Sequence, residues 1–424
     1  MKLLIVTFWI IIFVLSMHTL PRTLDVLQSK PIDNFRLVRI VTMAIAALLV
    51  AYPLFSLRYI ELAFRPPLSY LLLYNILGFA SLIYSPLKAL TLWKSIEILV
   101  VIGLSATLGV IFLNKGVKKF LTINTIFLCS MIIIMEIEAI INPAAAFRWY
   151  YEGIFRMQLG GILPNMNPSP FGYTATVASV MAFASLLYAK GKQKLLYGIL
   201  FSLSAIGTIL SHSRTAMVAF VIATVAILLI NKKTFIAIAI LLCATATIFI
   251  IPQTKLYWMR QQDLDLVMNM TGRISAWPLI LETSKKSPIY GYGFYAAQRF
   301  MFNSDTTDNF FLDIFIGLGF LGLFTMVLLI LSVWRNIIIL IINSLRTNNI
   351  LHLEISSKLA GMLLVISITG LTTRGFSIHS ESFMVFVTII TSIMIMRYGV
   401  IDETEEELLM TEENLITQVN VIEK

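Results

Sequence analysis

Thr271-Gly272-Arg273-Ile274-Ser275-Ala276-Trp277 and, a little further on, Pro288-Ile289-Tyr290-Gly291-Tyr292-Gly293-Phe294 form a polar island whose borders decide the fold. The run before it, 234–251, carries no charge, and the run after it, 309–333, carries only Asp313. Runs of that length and polarity cross a hydrocarbon core as helices. Further apolar runs lie at 3–20, 38–57, 68–84, 91–113, 120–141, 171–189, 195–212, 215–230, 359–373 and 380–398. With 58% hydrophobic residues, 13% charged and a mean hydropathy of +0.86, these 424 residues hold more apolar surface than a soluble domain buries. The expectation is an all-α, polytopic integral membrane protein of about twelve transmembrane helices, with a large outer loop at 252–308 that contains short helices. Residues 1–400 form the membrane domain, and 401–424 a tail.

Lysine and arginine in the short loops orient the chain. With the N-terminus cytoplasmic, the inner loops hold Arg58, Arg65, Lys115, Lys118, Lys119, Lys190, Lys192, Lys194, Lys232, Lys233, Arg335, Arg346 and Lys358. Only the first outer loop, with Arg22, Lys30 and Arg36, breaks the pattern. The two longest hydrophilic segments, 142–170 and 252–308, then face the exterior. Residues 402–424 hold eight acids against one lysine, so of the net +9 the tail supplies −7 and the rest of the chain +16. Such a tail reads as a solvated appendage. The first run lacks a small-residue cleavage site and is kept as a helix.

Cys129 and Cys243 sit inside apolar runs, where packing is the expected role of both. His18, His212, His352 and His379 show no metal-ligand spacing, so no metal is expected. Neither a phosphate-binding loop, a dinucleotide fingerprint nor an internal repeat is visible, so no cofactor and no nucleic acid are expected.

Outer loops after the first are rich in arginine: Arg148, Arg156, Arg214, Arg273, Arg299 and Arg374. A guanidinium grips phosphate oxygens with two parallel donors and stays charged when partly desolvated, whereas lysine is a strongly hydrated point charge. An arginine-lined outer cavity points to an anionic lipid headgroup, and converging arginines suit a pyrophosphate. Against this stands the commoner fate of a single interfacial arginine, pairing with membrane phosphate or a nearby acid. Arg214 is held in a junction, Ser211-His212-Ser213-Arg214-Thr215, between two apolar runs and cannot reach far into water. Arg273 opens an amphipathic loop helix over 273–286, with Trp277 and Leu281 on its apolar face, and lies where helix N–H groups favour an anion. The glycines of Tyr290–Phe294 permit close backbone approach, and the aromatics, Tyr292 among them, could stack on sugar rings. Asp305, Asp308 and Asp313 gather where the chain re-enters the membrane. One of them could position a sugar hydroxyl or take its proton, while the blander reading makes Asp308 a helix N-cap.

Four segments together resemble the O-antigen ligase and Wzy-type polysaccharide polymerase superfamily, and within it the ExoQ-like exopolysaccharide polymerases. Gly160-Gly161-Ile162-Leu163-Pro164-Asn165-Met166-Asn167-Pro168 is similar to its glycine and Pro-Asn segment. Ser211-His212-Ser213-Arg214-Thr215-Ala216 resembles its Ser-Arg-Thr-Ala helix junction. Thr271–Trp277 followed by Pro288–Phe294 resembles its Gly-Arg and Gly-x-Gly-Phe run. Asp308-Asn309, then nine residues, then Gly319-Phe320-Leu321-Gly322 resembles its His-Asn and Gly-x-x-Gly element. The likeness covers roughly 150–330.

The resemblance implies a metal-independent, nucleotide-independent glycosyltransferase of the bacterial cytoplasmic membrane. It would use undecaprenyl-diphosphate-linked sugars at the outer face, with a chain-length regulator and a flippase as possible partners. Arg214 and Arg273 match the arginines that neutralise the departing diphosphate. Asp308 occupies the position of the family's histidine, thought to activate the acceptor hydroxyl. That departure favours a repeat-unit polymerase over a ligase, and leaves the identity of the base open, because a carboxylate orients a hydroxyl better than it deprotonates it. Asn309, Arg156, Arg299, Tyr292 and Arg374 enter as candidates for binding sugar or phosphate. A ligase transferring the finished glycan to lipid or protein stays open, and a transporter or flippase ranks below both, since charges in mid-span are few.

Overall fold

The structure is a computed structural model that describes residues 2–16, 34–54, 57–149, 157–250, 265, 273–302, 307–372, 376 and 382–398. Each of the twelve apolar runs contains a helix. Five helices are long and apolar enough to cross a membrane: Lys88–Leu113, Val117–Ile141, Gly191–Leu210, Phe310–Thr347 and Ile350–Thr372. Shorter apolar helices include Leu68–Ile83, Arg214–Ile230 and Ser382–Tyr398. The chain is an all-α membrane protein, and its described strands are one antiparallel pair, Phe147–Trp149 with Met157–Leu159. That pair was not foreseen.

Polar side chains inside these helices are tied to their own backbone one turn back, as a medium without water demands. Thr107 donates to Gly103 O, Thr125 to Leu121 O, Ser179 to Ala175 O and Thr391 to Val387 O, each at 2.7–2.8 Å. Lys88–Leu113, Pro168–Leu186, Ile350–Thr372 and Ser382–Tyr398 are largely buried, and Ser105 of the first meets Thr391 of the last at 2.8 Å. Cys129 packs in this core as expected, whereas Cys243 lies on an exposed helix face.

Several helices overrun the apolar runs that announced them because their charges are paired inside the bundle. Lys94 and Glu97 lie within Lys88–Leu113, where Glu97 accepts from Arg39 Nε at 2.6 Å and from Lys94 Nζ at 2.5 Å. Ile350–Thr372 begins nine residues before its run, since Glu354 there accepts from Lys358 at 2.9 Å and faces Lys118 at 3.2 Å. Phe310–Thr347 also continues beyond residue 333, through Arg335, but there the charge is exposed rather than paired with an acid among the described residues.

Phe310–Thr347 is broken at Gly319, where φ is +63°. The break is filled by the polar island. Tyr292 N and Gly293 N donate to Ile316 O and Gly317 O, each at 2.9 Å, and Phe320 N and Leu321 N donate to Pro288 O and Ile289 O. The loop thus takes over hydrogen bonds that the helix gives up, the condition for irregular backbone at membrane depth. On its other side the loop is held by the hairpin between Leu68–Ala80 and Lys88–Leu113. Tyr84 OH donates to Tyr290 O at 2.6 Å, Thr91 Oγ1 to Phe294 O at 2.9 Å, and Phe294 N to Ser81 Oγ at 3.1 Å.

Candidate functional site

The site is assembled from helix ends. The turn Ser211–Ser213 is closed by Ser211, which donates to Thr208 O at 2.6 Å and accepts from Ser213 N at 3.1 Å. Ser213 then caps Arg214–Ile230 by accepting from Ala216 N, so Arg214 is the first helical residue and is half-buried. Gly172, one turn into Pro168–Leu186, makes room for this turn: a Cβ there would stand 2.4 Å from Ser211 Oγ. The preceding Gly160–Asn167 segment is fastened by Glu138, whose carboxylate accepts from Ile162 N and Leu163 N at 3.1 Å.

Arg273 is the first residue of Arg273–Ser284, close to the expected 273–286. Its Nη1 donates to Thr372 O at 2.7 Å, and its Nε stands 3.6 Å from Asp308 Oδ2. Both side chains of that pair keep access to solvent, 31% for Arg273 and 45% for Asp308, so the pair is loose and an anion can compete for the guanidinium. Thr372, which holds Arg273, also donates its hydroxyl to Thr215 Oγ1 at 3.3 Å, one residue from Arg214.

Asn309, not Asp308, caps Phe310–Thr347. Its Oδ1 accepts from Phe311 N at 3.0 Å and Leu312 N at 3.2 Å, while its Nδ2 donates to Leu371 O at 3.1 Å. Asp308 has φ +55°, a conformation that asparagine and aspartate tolerate better than most residues. Thr307 N donates to Asp313 Oδ1 at 2.8 Å and closes the entry to the helix.

Two expected binding residues take other places. Arg299 is 1% exposed in the short helix Ala297–Phe302 and donates to Tyr295 O at 2.9 Å. Tyr292 is half-buried beside Ile280, Ala297 and Ile316, with its hydroxyl on Thr283 O at 3.1 Å. Arg156 and Arg374 lie outside the described residues, as does the 401–424 tail. Thr215, Leu371 and Thr372 were not anticipated. Thr215 adjoins Arg214 in the sequence, but Leu371 and Thr372 hold Asn309 and Arg273 through backbone carbonyls, which carry no sequence signal.

The four segments singled out in the sequence thus share one neighbourhood. Gly172, just beyond the first, touches Ser211 of the second; Thr215 meets Thr372; Thr372 holds Arg273 of the third; Arg273 faces Asp308 of the fourth. The N-termini of Arg214–Ile230, Arg273–Ser284 and Phe310–Thr347 all end here, each bringing N–H groups and the positive end of a dipole.

Residues 199–327 match the protein-family model described as O-antigen ligase, a span that holds the second, third and fourth segments. No curated protein matches the chain. The family is one of membrane glycosyltransferase-like enzymes. Residues 199–327, with Arg214, Arg273 and the broken helix after Asn309 inside that span, are thus similar to the O-antigen ligase/Wzy-type superfamily, and the match supports that family for this part of the chain.

Proposed function

We propose that the chain is a repeat-unit polymerase. It would transfer a glycan from undecaprenyl diphosphate to the terminal sugar of a second lipid-linked repeat unit on the outer face of the bacterial cytoplasmic membrane. The observation that carries this reading is the Arg273–Thr372–Thr215 chain of contacts, which ties both arginine-bearing helix starts to one end of the bundle. There two guanidinium groups and three helix N-termini can share one diphosphate.

In the reaction an acceptor hydroxyl attacks the anomeric carbon and the glycosyl–phosphate bond breaks. The electron pair leaves on the diphosphate oxygen, and the hydroxyl proton passes to a base or to water. Arg214 and Arg273 would neutralise the charge that grows on the leaving oxygen, which lowers the barrier only if they bind it more strongly as the bond breaks. Asp308 would release Arg273 as the diphosphate arrives and orient the acceptor hydroxyl.

Reconstitution with a lipid-linked repeat unit tests the proposal. Long glycan made from that substrate alone supports a polymerase. The family match is equally compatible with the second reading, a ligase, which would require a distinct lipid or protein acceptor and make no polymer without it.

A further inference from the structure

Toward the far end of Phe310–Thr347 from Asn309, that helix and Ser382–Tyr398 enclose a groove of about 280 Å³ lined by Arg335, Asn336, Ile339, Ile393, Met396 and Arg397 among others. Arg335 lies 26 residues beyond Asn309, and the 16 that follow the break at Gly319 add on the order of 24 Å of helix, so the groove lies well away from the Asn309 end and, by the orientation of the loops, toward the other leaflet. Residues 335, 339 and 343 fall on one helix face, and 393, 396 and 397 on the facing one, so each helix contributes a cation above an apolar strip.

We propose that this groove binds an anionic glycerophospholipid of the opposite leaflet, with its phosphodiester between Arg335 and Arg397 and an acyl chain along Ile339, Ile393 and Met396. Arg335 is exposed on the side of its helix turned away from buried Val333 and Ile337, so in a bilayer its guanidinium meets lipid rather than protein. Among the described residues no carboxylate lies within ion-pair distance of Arg335 or Arg397, whereas Lys118 and Lys358 share Glu354 and Arg65 pairs with Glu61. Asn336 donates to Ser332 O at 2.7 Å, which leaves its carbonyl oxygen for a hydroxyl of the headgroup. The groove is remote from Arg214 and Arg273, so the inference stands apart from the polymerase reading.

Native mass spectrometry of the purified full chain titrated with phosphatidylglycerol, against phosphatidylcholine, reads the site. A basic residue near an anionic lipid contributes roughly a fivefold affinity gain, so Arg335→Gln with Arg397→Gln should weaken phosphatidylglycerol binding about 25-fold and leave phosphatidylcholine unchanged. Ile339→Trp, which fills the groove without touching charge, should also displace the lipid. Lys232→Gln with Lys233→Gln, on the same membrane face but outside the groove, should not. The inference is overturned if the Lys232 and Lys233 variant loses as much affinity, or if Ile339→Trp loses none, since either outcome reduces the effect to general surface attraction. It is also overturned if only a chain shortened to remove 402–424 binds the lipid, because the acidic tail would then be the occupant. A variant that elutes as a monodisperse species with the wild-type melting temperature is folded, so its loss of lipid belongs to the site.

Discussion

Arg273 is fixed by one carbonyl and only loosely engaged by one carboxylate, and that difference sets what its substitution does. Arg273→Ala removes the group proposed to stabilise the leaving diphosphate. Loss of one such donor costs about a hundred- to a thousandfold in rate, and lipid-linked repeat unit should accumulate while the protein stays folded. Arg273→Lys keeps the charge but loses the planar guanidinium that can hold Thr372 O through Nη1 and still grip a phosphate, so it should recover only part of the activity. Asn309 offers a separate test on stability. Asn309→Ala loses a cap, about 1 kcal/mol, together with the bond to Leu371 O, and should lower the melting temperature in detergent more than Asn309→Asp, which keeps the cap. The sequence marked Arg273 by its helix start and its match to the family, and left Arg299, of the same outer loop, a candidate for binding sugar or phosphate. What separates them is burial in a small loop core around Ile280 and Ile316, which depends on contacts made by residues distant along the chain.

At the scale of elements, the polar island and the broken helix act as one unit. Gly291 has φ +68° and a Cβ there would stand 2.5 Å from the backbone of Gly317, while a Cβ on Gly319, at φ +63°, would stand 2.3 Å from Ile289. Left-handed backbone alone costs an alanine about 1–2 kcal/mol, and in both places the atoms met are backbone and cannot swing aside. Gly291→Ala and Gly319→Ala should therefore each lower both melting temperature and activity, whereas Gly191→Ala, also at positive φ but with nothing within 4 Å, should leave activity intact. Thermal unfolding in detergent beside a polymer assay reads this contrast. The glycines were legible as sites of close backbone approach, and what approaches them is the interrupted helix. Helix ends were misplaced wherever charges such as Glu354 and Lys358 looked like loop residues, because a sequence does not show which of its charges meet.

For the whole molecule, the apolar runs carried the fold plainly, since each holds enough uncharged residues to demand a helix. The convergence of four separated segments was legible only through their resemblance to a family. Its physical basis is a set of hydrogen bonds across long stretches of chain, from Tyr84 to Tyr290, Arg273 to Thr372 and Thr215 to Thr372. Thr91→Val should therefore weaken catalysis from outside the site, by removing the bond that holds Phe294 O. Thr91→Ser, which keeps the hydroxyl, should restore it. The central claim, that Arg214 and Arg273 act on one diphosphate, is tested most directly by a double-mutant cycle. Initial rates of polymer formation would be measured for Arg214→Lys, Arg273→Lys and the pair in the reconstituted enzyme. Groups that share a ligand are coupled, so the double variant should lose at least about tenfold less than the product of the two single losses. Losses that multiply independently would contradict the account.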